Sequence, residues 1–166
     1  MATPTNLPAS FTAGNVLTAA QLNSVRGAFR ILQVVQGTTT TITTNSTTTY
    51  IDTNLSATIT PQDSASRILI YVNHAACYKA SGNPFTGLNA RLLRGGTTIV
   101  TWGGGLGYTN SSSELTFNAN WIYLDSPATT SAVTYKTQFA QNVAVASVQV
   151  QTSSVPSTML LMEVSS

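Results

Sequence analysis

Nucleophilic catalysis needs a base beside the nucleophile, and the chain offers one histidine, His74, and one cysteine, Cys77. Residues three apart on a strand point to opposite faces, so these two are not expected to form a dyad. Beside Ala75, Ala76 and the apolar run 68–72, His74 reads as a structural histidine rather than the base of a serine triad. The carboxylates are Asp52, Asp63, Glu114, Asp125 and Glu163. Asp63 and Asp125 fall in predicted turns, where they stabilise backbone N–H groups. Asp52 and Glu114 lie at strand ends; any two of these carboxylates could meet in space for glycoside hydrolysis, which leaves a carbohydrate-active β-sandwich enzyme as a remote alternative. No two candidate ligands have the spacing of a metal site, so neither metal nor cofactor is expected. The WGGGLGY stretch at 102–108 leads into no helix and has no Lys-Ser/Thr after it, which excludes a phosphate cradle. It reads as a long loop between strands. Its Trp102, Leu106 and Tyr108 are the candidates for a receptor-facing tip, because loops on rigid sandwiches often carry binding.

The elements that must position these residues follow from composition. The chain has 166 residues, one domain's worth, with 42% hydrophobic residues but only 7% charged, against about 25% in typical domains. Neutral polar residues replace the missing charge: 28 Thr, 18 Ser, 12 Asn and 8 Gln. Threonine is β-branched and suits a pleated surface, whereas helices of this size would need charged outer faces. Two Lys and five Arg spread along the chain do not make a nucleic-acid-binding surface. The apolar stretches fall short of the ~20 residues of a membrane helix, so no membrane insertion is expected. The N-terminal residues lack the basic start and apolar run of a secretory signal. A lone cysteine leaves the fold to hold by packing.

Residues 1–15 read as an extended arm. Thr18 and Gln21 then fit a capping box, with Leu17 before it and Leu22 after it at the spacing of a hydrophobic staple. A short helix is expected over about residues 19–26, with Leu22 and Val25 on one side and Gly27 as its stop. Such a helix is marginal alone and must dock, either on this domain's own core or, together with the arm, on another protein. From residue 31 the expectation is an all-β domain: an antiparallel sandwich over residues 31–166, with strands over 31–35, 38–44, 47–52, 55–60, 67–75, 88–94, 97–102, 115–124, 132–140, 147–151 and 158–164. Arg94-Gly-Gly-Thr97 is a two-residue hairpin turn. In the Thr-rich stretch 37–49, two surface strands are expected to meet near Asn45 and Ser46, with Ile42, Tyr50 and Ile51 pointing inward.

Two strands break the in–out alternation. Residues 68–72 and 159–162 are apolar on both faces, which a sheet with one wet face does not need. Such a strand is either central and covered or faces another subunit; for the last strand a subunit interface is the expectation, with Tyr71, Met159 and Leu161 or their neighbours meeting across a threefold axis.

The segment 11–23 (FTAGNVLTAAQLN) resembles the N-terminal attachment segment of small structural proteins of tailed bacteriophages. The later pattern is similar to their trimeric jelly-roll modules, of the C1q and tumour-necrosis-factor type. The residues that carry this are 52–61 (DTNLSATITP), 66–72 (SRILIYV), 92–95 (LLRG), 124–127 (LDSP), 131–135 (SAVTY) and 160–163 (LLME). The resemblance implies a homotrimer on the exterior of a virion and no enzymatic activity. Residues 1–30 would attach it to other phage structural proteins, of capsid or tail, through Leu7, Phe11, Leu17, Leu22 and Val25. The role is that of a short fibre touching a host-surface glycan or protein, or else a cement protein on the head lattice.

Overall fold

Ten strands form among the described residues of the computed structural model, which are 31–82 and 84–165 together with Gly14, Val16, Thr18 and Ala19. The attachment residues Leu7, Phe11, Leu17, Leu22 and Val25 lie outside the described residues. The strands are β1 (Ile31–Thr39), β2 (Thr43–Asn45), β3 (Ile51–Ile59), β4 (Arg67–Lys79), β5 (Leu88–Arg94), β6 (Thr97–Leu106), β7 (Leu115–Asp125), β8 (Val133–Gln141), β9 (Val148–Val150) and β10 (Ser157–Val164). They build an antiparallel β-sandwich, as the composition requires. In the first sheet β1 pairs with β10 and β10 with β4, while β7 runs along the other edge of β4. At the far end of β4, β9 pairs with Tyr78 and Lys79 and carries β2. The second sheet has the order β3-β8-β5-β6. Pairing of β1 with β10 and of β3 with β8 gives a jelly-roll-like order rather than a meander.

β3 shows why this sequence makes a sandwich. Thr53, Leu55, Ala57 and Ile59 alternate inward, and Asn54, Ser56 and Thr58 face solvent. Burying Leu55 and Ile59 in this way contributes roughly 1.5–3 kcal/mol each. The core has two parts. One gathers Leu55, Ile59, Ile68, Ile70, Val72, Leu92, Tyr135, Met159 and Leu161; the other gathers Cys77, Leu88, Ala90, Ala119, Phe139, Val148 and Val150. The stacked rings of Trp102 and Trp121, 4.6 Å apart and 3° from parallel, pack against both. β1 passes so close to β3 that a Cβ on Gly37 would overlap the Ser56 carbonyl oxygen.

Several elements differ from expectation. Gly103, Gly104 and Gly105 belong to β6 rather than to a loop, because that strand pairs with β5 as far as Leu106. Residues 38 and 39 finish β1, and Ile42 is exposed rather than inward. In β4 the register with β7 shifts between His74 and Cys77, where Ala76 has φ 48°. This bulge turns both His74 and Cys77 into the core, not to opposite faces.

The sandwich has two distinct ends. Ile31, Val164, Arg67 and Asp125 lie at the end where the chain enters β1. The thirteen residues of β4 carry the chain about 40 Å to the other end. There the described residues of segments 80–87, 107–114 and 142–147 converge, with the Ala80 amide donating to Ser147, the Gly82 amide to Ser112 and the Asn142 amide to Gly87.

Candidate functional site

His74 sits in a buried polar chain between the sheets. Its Nε2 lies 2.9 Å from Thr137 Oγ1, which is 2.6 Å from Thr53 Oγ1. The Gln151 amide nitrogen lies 3.1 Å from His74 Nδ1 and 2.8 Å from Ser157 Oγ. Both ring nitrogens of His74 thus have a side-chain partner within this buried chain. Burial pushes His74 down to about 4. Burial pushes the Cys77 thiol up to about 12, against a smaller opposing hydrogen bond from the Ala119 backbone. The thiol donates to the His74 carbonyl oxygen at 3.6 Å, not to the ring. A thiolate–imidazolium pair needs the opposite shifts, so the two side chains share a core without forming a dyad.

The carboxylates have structural partners. Asp125 accepts from Arg94 Nη1 at 2.9 Å and from the Tyr135 hydroxyl at 2.7 Å, tying β7 of the first sheet to β5 and β8 of the second. Burial and the adjacent Asp125 carboxylate raise the pKa of that hydroxyl. Asp63 Oδ1 accepts from the Ala65 amide, a turn contact as its position predicts. Glu114 accepts from Tyr78, and Glu163 from Gln33 Nε2 and the Gln62 amide. Asp52 accepts from Lys136 Nζ at 2.9 Å and Gln138 Nε2 at 2.6 Å. Burial works to raise the pKa of Asp52, and those hydrogen bonds, with the charges of Lys136 and Arg91, outweigh it. Among the described residues no three His, Cys, Asp or Glu side chains gather to hold a metal ion.

The surfaces are more informative than the core. On the outside of the first sheet, the strand register aligns Val34 with Met162, Met162 with Leu69, and Leu69 with Leu124. The next row aligns Gln36, Leu160, Tyr71 and Ile122. Seven apolar side chains thus form a strip across four strands, about 15–20 Å wide at ordinary strand spacing. Ile122 is 66% exposed and Val34 54%. The row beyond is polar: Thr38, Thr158, Asn73 and Asn120. The outside of the second sheet carries Asp52, Ser56, Thr58, Arg91, Thr134, Lys136 and Gln138 instead, with Arg91 lying 4.3 Å over the Tyr50 ring.

This placement corrects the expected interface. Met159 and Leu161 are fully buried within a single chain, packed in its own core, and cannot meet a second copy. Their neighbours Leu160 and Met162 face outward beside Tyr71, which is 38% exposed. Leu69 belongs to the doubly apolar run 68–72; Val34, Ile122 and Leu124 were not singled out as interface residues in the sequence, although the alternation of β7 from Asn118 to Leu124 carries the signal.

The expected receptor-facing group is divided. Trp102 stacks on Trp121, and Leu106 packs on the core from the end of β6. Tyr108 remains at the far end, 47% exposed. Its ring stacks on that of Phe85, 58% exposed, with centroids 6.5 Å apart and planes 28° from parallel. Val143 and Val145 are exposed at the same end. In comparisons with known proteins, no family model matches this chain, and no curated protein does either.

Proposed function

We propose that the protein is a structural component of the exterior of a tailed-phage virion, a homotrimer attached through its N-terminal arm and acting as a short, host-contacting fibre. The observation that carries this reading is the contrast between the two outer sheet faces. Monomeric proteins rarely leave a contiguous apolar strip of this kind in water. The strip itself is free of charge, with Arg67 at its border on β4, while the outer face of the other sheet carries Asp52, Arg91 and Lys136. Three copies that pack Val34, Tyr71, Ile122, Leu124, Leu160 and Met162 around a threefold axis bury it and leave the polar sheet outside.

The attachment role rests on the resemblance of segment 11–23 to phage attachment segments. A cement protein on the head would use the same trimer and arm. The fibre reading is favoured because the exposed Phe85–Tyr108 pair lies at the end opposite the entry of the chain. Neither the His74–Cys77 pair nor the carboxylates present a reactive arrangement, so the role assigned is structural.

The test is sedimentation of the wild-type protein at micromolar concentration beside Ile122→Asp/Leu124→Asp. The wild type should sediment as a trimer. The double variant should be a monomer with an unchanged β-sheet circular dichroism spectrum, because both side chains are on the outer face. A monodisperse wild-type monomer overturns the assembly. Gold-labelled antibody on intact particles decides between tail and head.

A further inference from the structure

We propose that the far end of the sandwich binds a neutral carbohydrate, with a sugar ring lying on the paired rings of Phe85 and Tyr108. This deepens the host-contact reading by naming the chemistry of the contact. The π faces of aromatic rings are electron-rich and attract the polarised C–H groups of a sugar. Both rings are about half exposed or more although they stack on one another. They therefore present a joined apolar surface of a sugar ring's size.

The surroundings select against an acidic ligand. In the segments 80–87, 107–114 and 142–147, the one charged residue is Glu114, an exposed carboxylate held by the Tyr78 hydroxyl. The nearby ammonium of Lys79 is fully buried beneath this end. Its Nζ donates to Thr109 Oγ1 at 2.6 Å and to the Ser111 carbonyl at 2.8 Å. An acidic sugar would find no accessible cation in these segments. A neutral one finds amides and hydroxyls in Asn110, Ser112 and Asn142 to orient it.

The platform is also held in place before a ligand arrives. Lys79 pins the segment that follows Tyr108, and the Gly82 amide donates to the Ser112 carbonyl. Asn142 Oδ1 accepts from the Gly87 amide at 2.7 Å, and the Asn142 amide donates to the Gly87 carbonyl at 3.0 Å. Gly107, with φ 72°, lies so close to Phe117 that a Cβ would enter its ring. That turn fixes where Tyr108 emerges. Fixed loops lose little freedom on binding, which favours a small ligand. A protein partner would need roughly 800 Å² from this surface, more than two rings and two valines supply. Three such ends on one trimer would raise weak single-site binding by avidity.

The experiment uses the full-length protein and saturation-transfer NMR with chitotriose, maltotriose and lactose. The probes with charge are 3′-sialyllactose and a heparin tetrasaccharide. At least one neutral sugar should bind and shift the ring protons of Tyr108 and Phe85 in the wild type. Tyr108→Ala and Phe85→Ala should each weaken binding more than tenfold, and Tyr108→Phe should retain it. The wild-type ring shifts keep the test valid should an alanine variant fail to fold. The proposal is overturned if no neutral sugar binds, if the charged probes bind better, if the contacts map elsewhere, or if host surfaces stripped of carbohydrate still capture the protein through this end. Loss of sugar binding in an intact trimer leaves the assembly untouched, and a sugar-binding monomer overturns only the assembly.

Discussion

His74 couples the stability of the sandwich to pH. Held near 4 in the fold and titrating near 6.5 when unfolded, it binds its proton more readily in the unfolded chain. Its contribution is therefore complete above pH 6.5 and is lost as pH falls from 6.5 towards 4. Denaturant unfolding at pH 7.5 and pH 5 should differ by about 2 kcal/mol, less stable at the lower pH and above the range where carboxylates titrate. His74→Gln should flatten that difference. A variant with the same pH step would show that the Thr53–Thr137–His74–Gln151 chain is not its source.

β10 makes separate predictions for its two faces. Leu161 fills the protomer core, so Leu161→Ala should cost roughly 2–5 kcal/mol of unfolding free energy. Met162→Ser, on the outer face, should leave the fold of the single chain intact and weaken trimer association in sedimentation. Equal effects of the two on association alone would contradict the inward placement of Leu161. Where β1 crosses β3, Gly37→Ala must push Cβ into the Ser56 carbonyl. Overpacking of this kind typically costs about 1–3 kcal/mol, which thermal unfolding would register as a lowered midpoint.

At the scale of the whole molecule, the two ends of the sandwich differ in what they present. Chain entry and the Arg94–Asp125–Tyr135 tie lie at one end, and the aromatic platform lies at the other. The core clusters among the described residues close without the first thirty residues. Deleting residues 1–28 should therefore leave the sandwich folded; on the proposed attachment, the truncated trimer no longer joins the particle, as judged by its absence from purified virions in complementation. Normal occupancy of the truncated protein would place the anchor elsewhere. Unfolding would assign the helix expected over residues 19–26 to the domain's own core.

The sequence by itself determined that this protein is an antiparallel sandwich. Scarce charge and abundant threonine leave no means of covering helices, and the strands beginning at Arg67, Leu88, Leu115 and Ser157 were legible within a residue. It also showed that residues 159–162 are apolar on both sides. Which side faces the core was not legible, because Met159 and Leu161 are equivalent in hydropathy to Leu160 and Met162. Glu163 shares the inward parity and would by its charge suggest the opposite, yet its carboxylate is satisfied by Gln33 and Gln62. The tertiary register decided it, by stacking β1, β10, β4 and β7 so that one set meets β3 and β8 across the core. The same holds for His74 and Cys77, whose common burial depends on a bulge at Ala76 that alternation does not reveal. Phe85 and Tyr108 lie 23 positions apart, and only the convergence of three loops at the end of a 13-residue strand makes them neighbours.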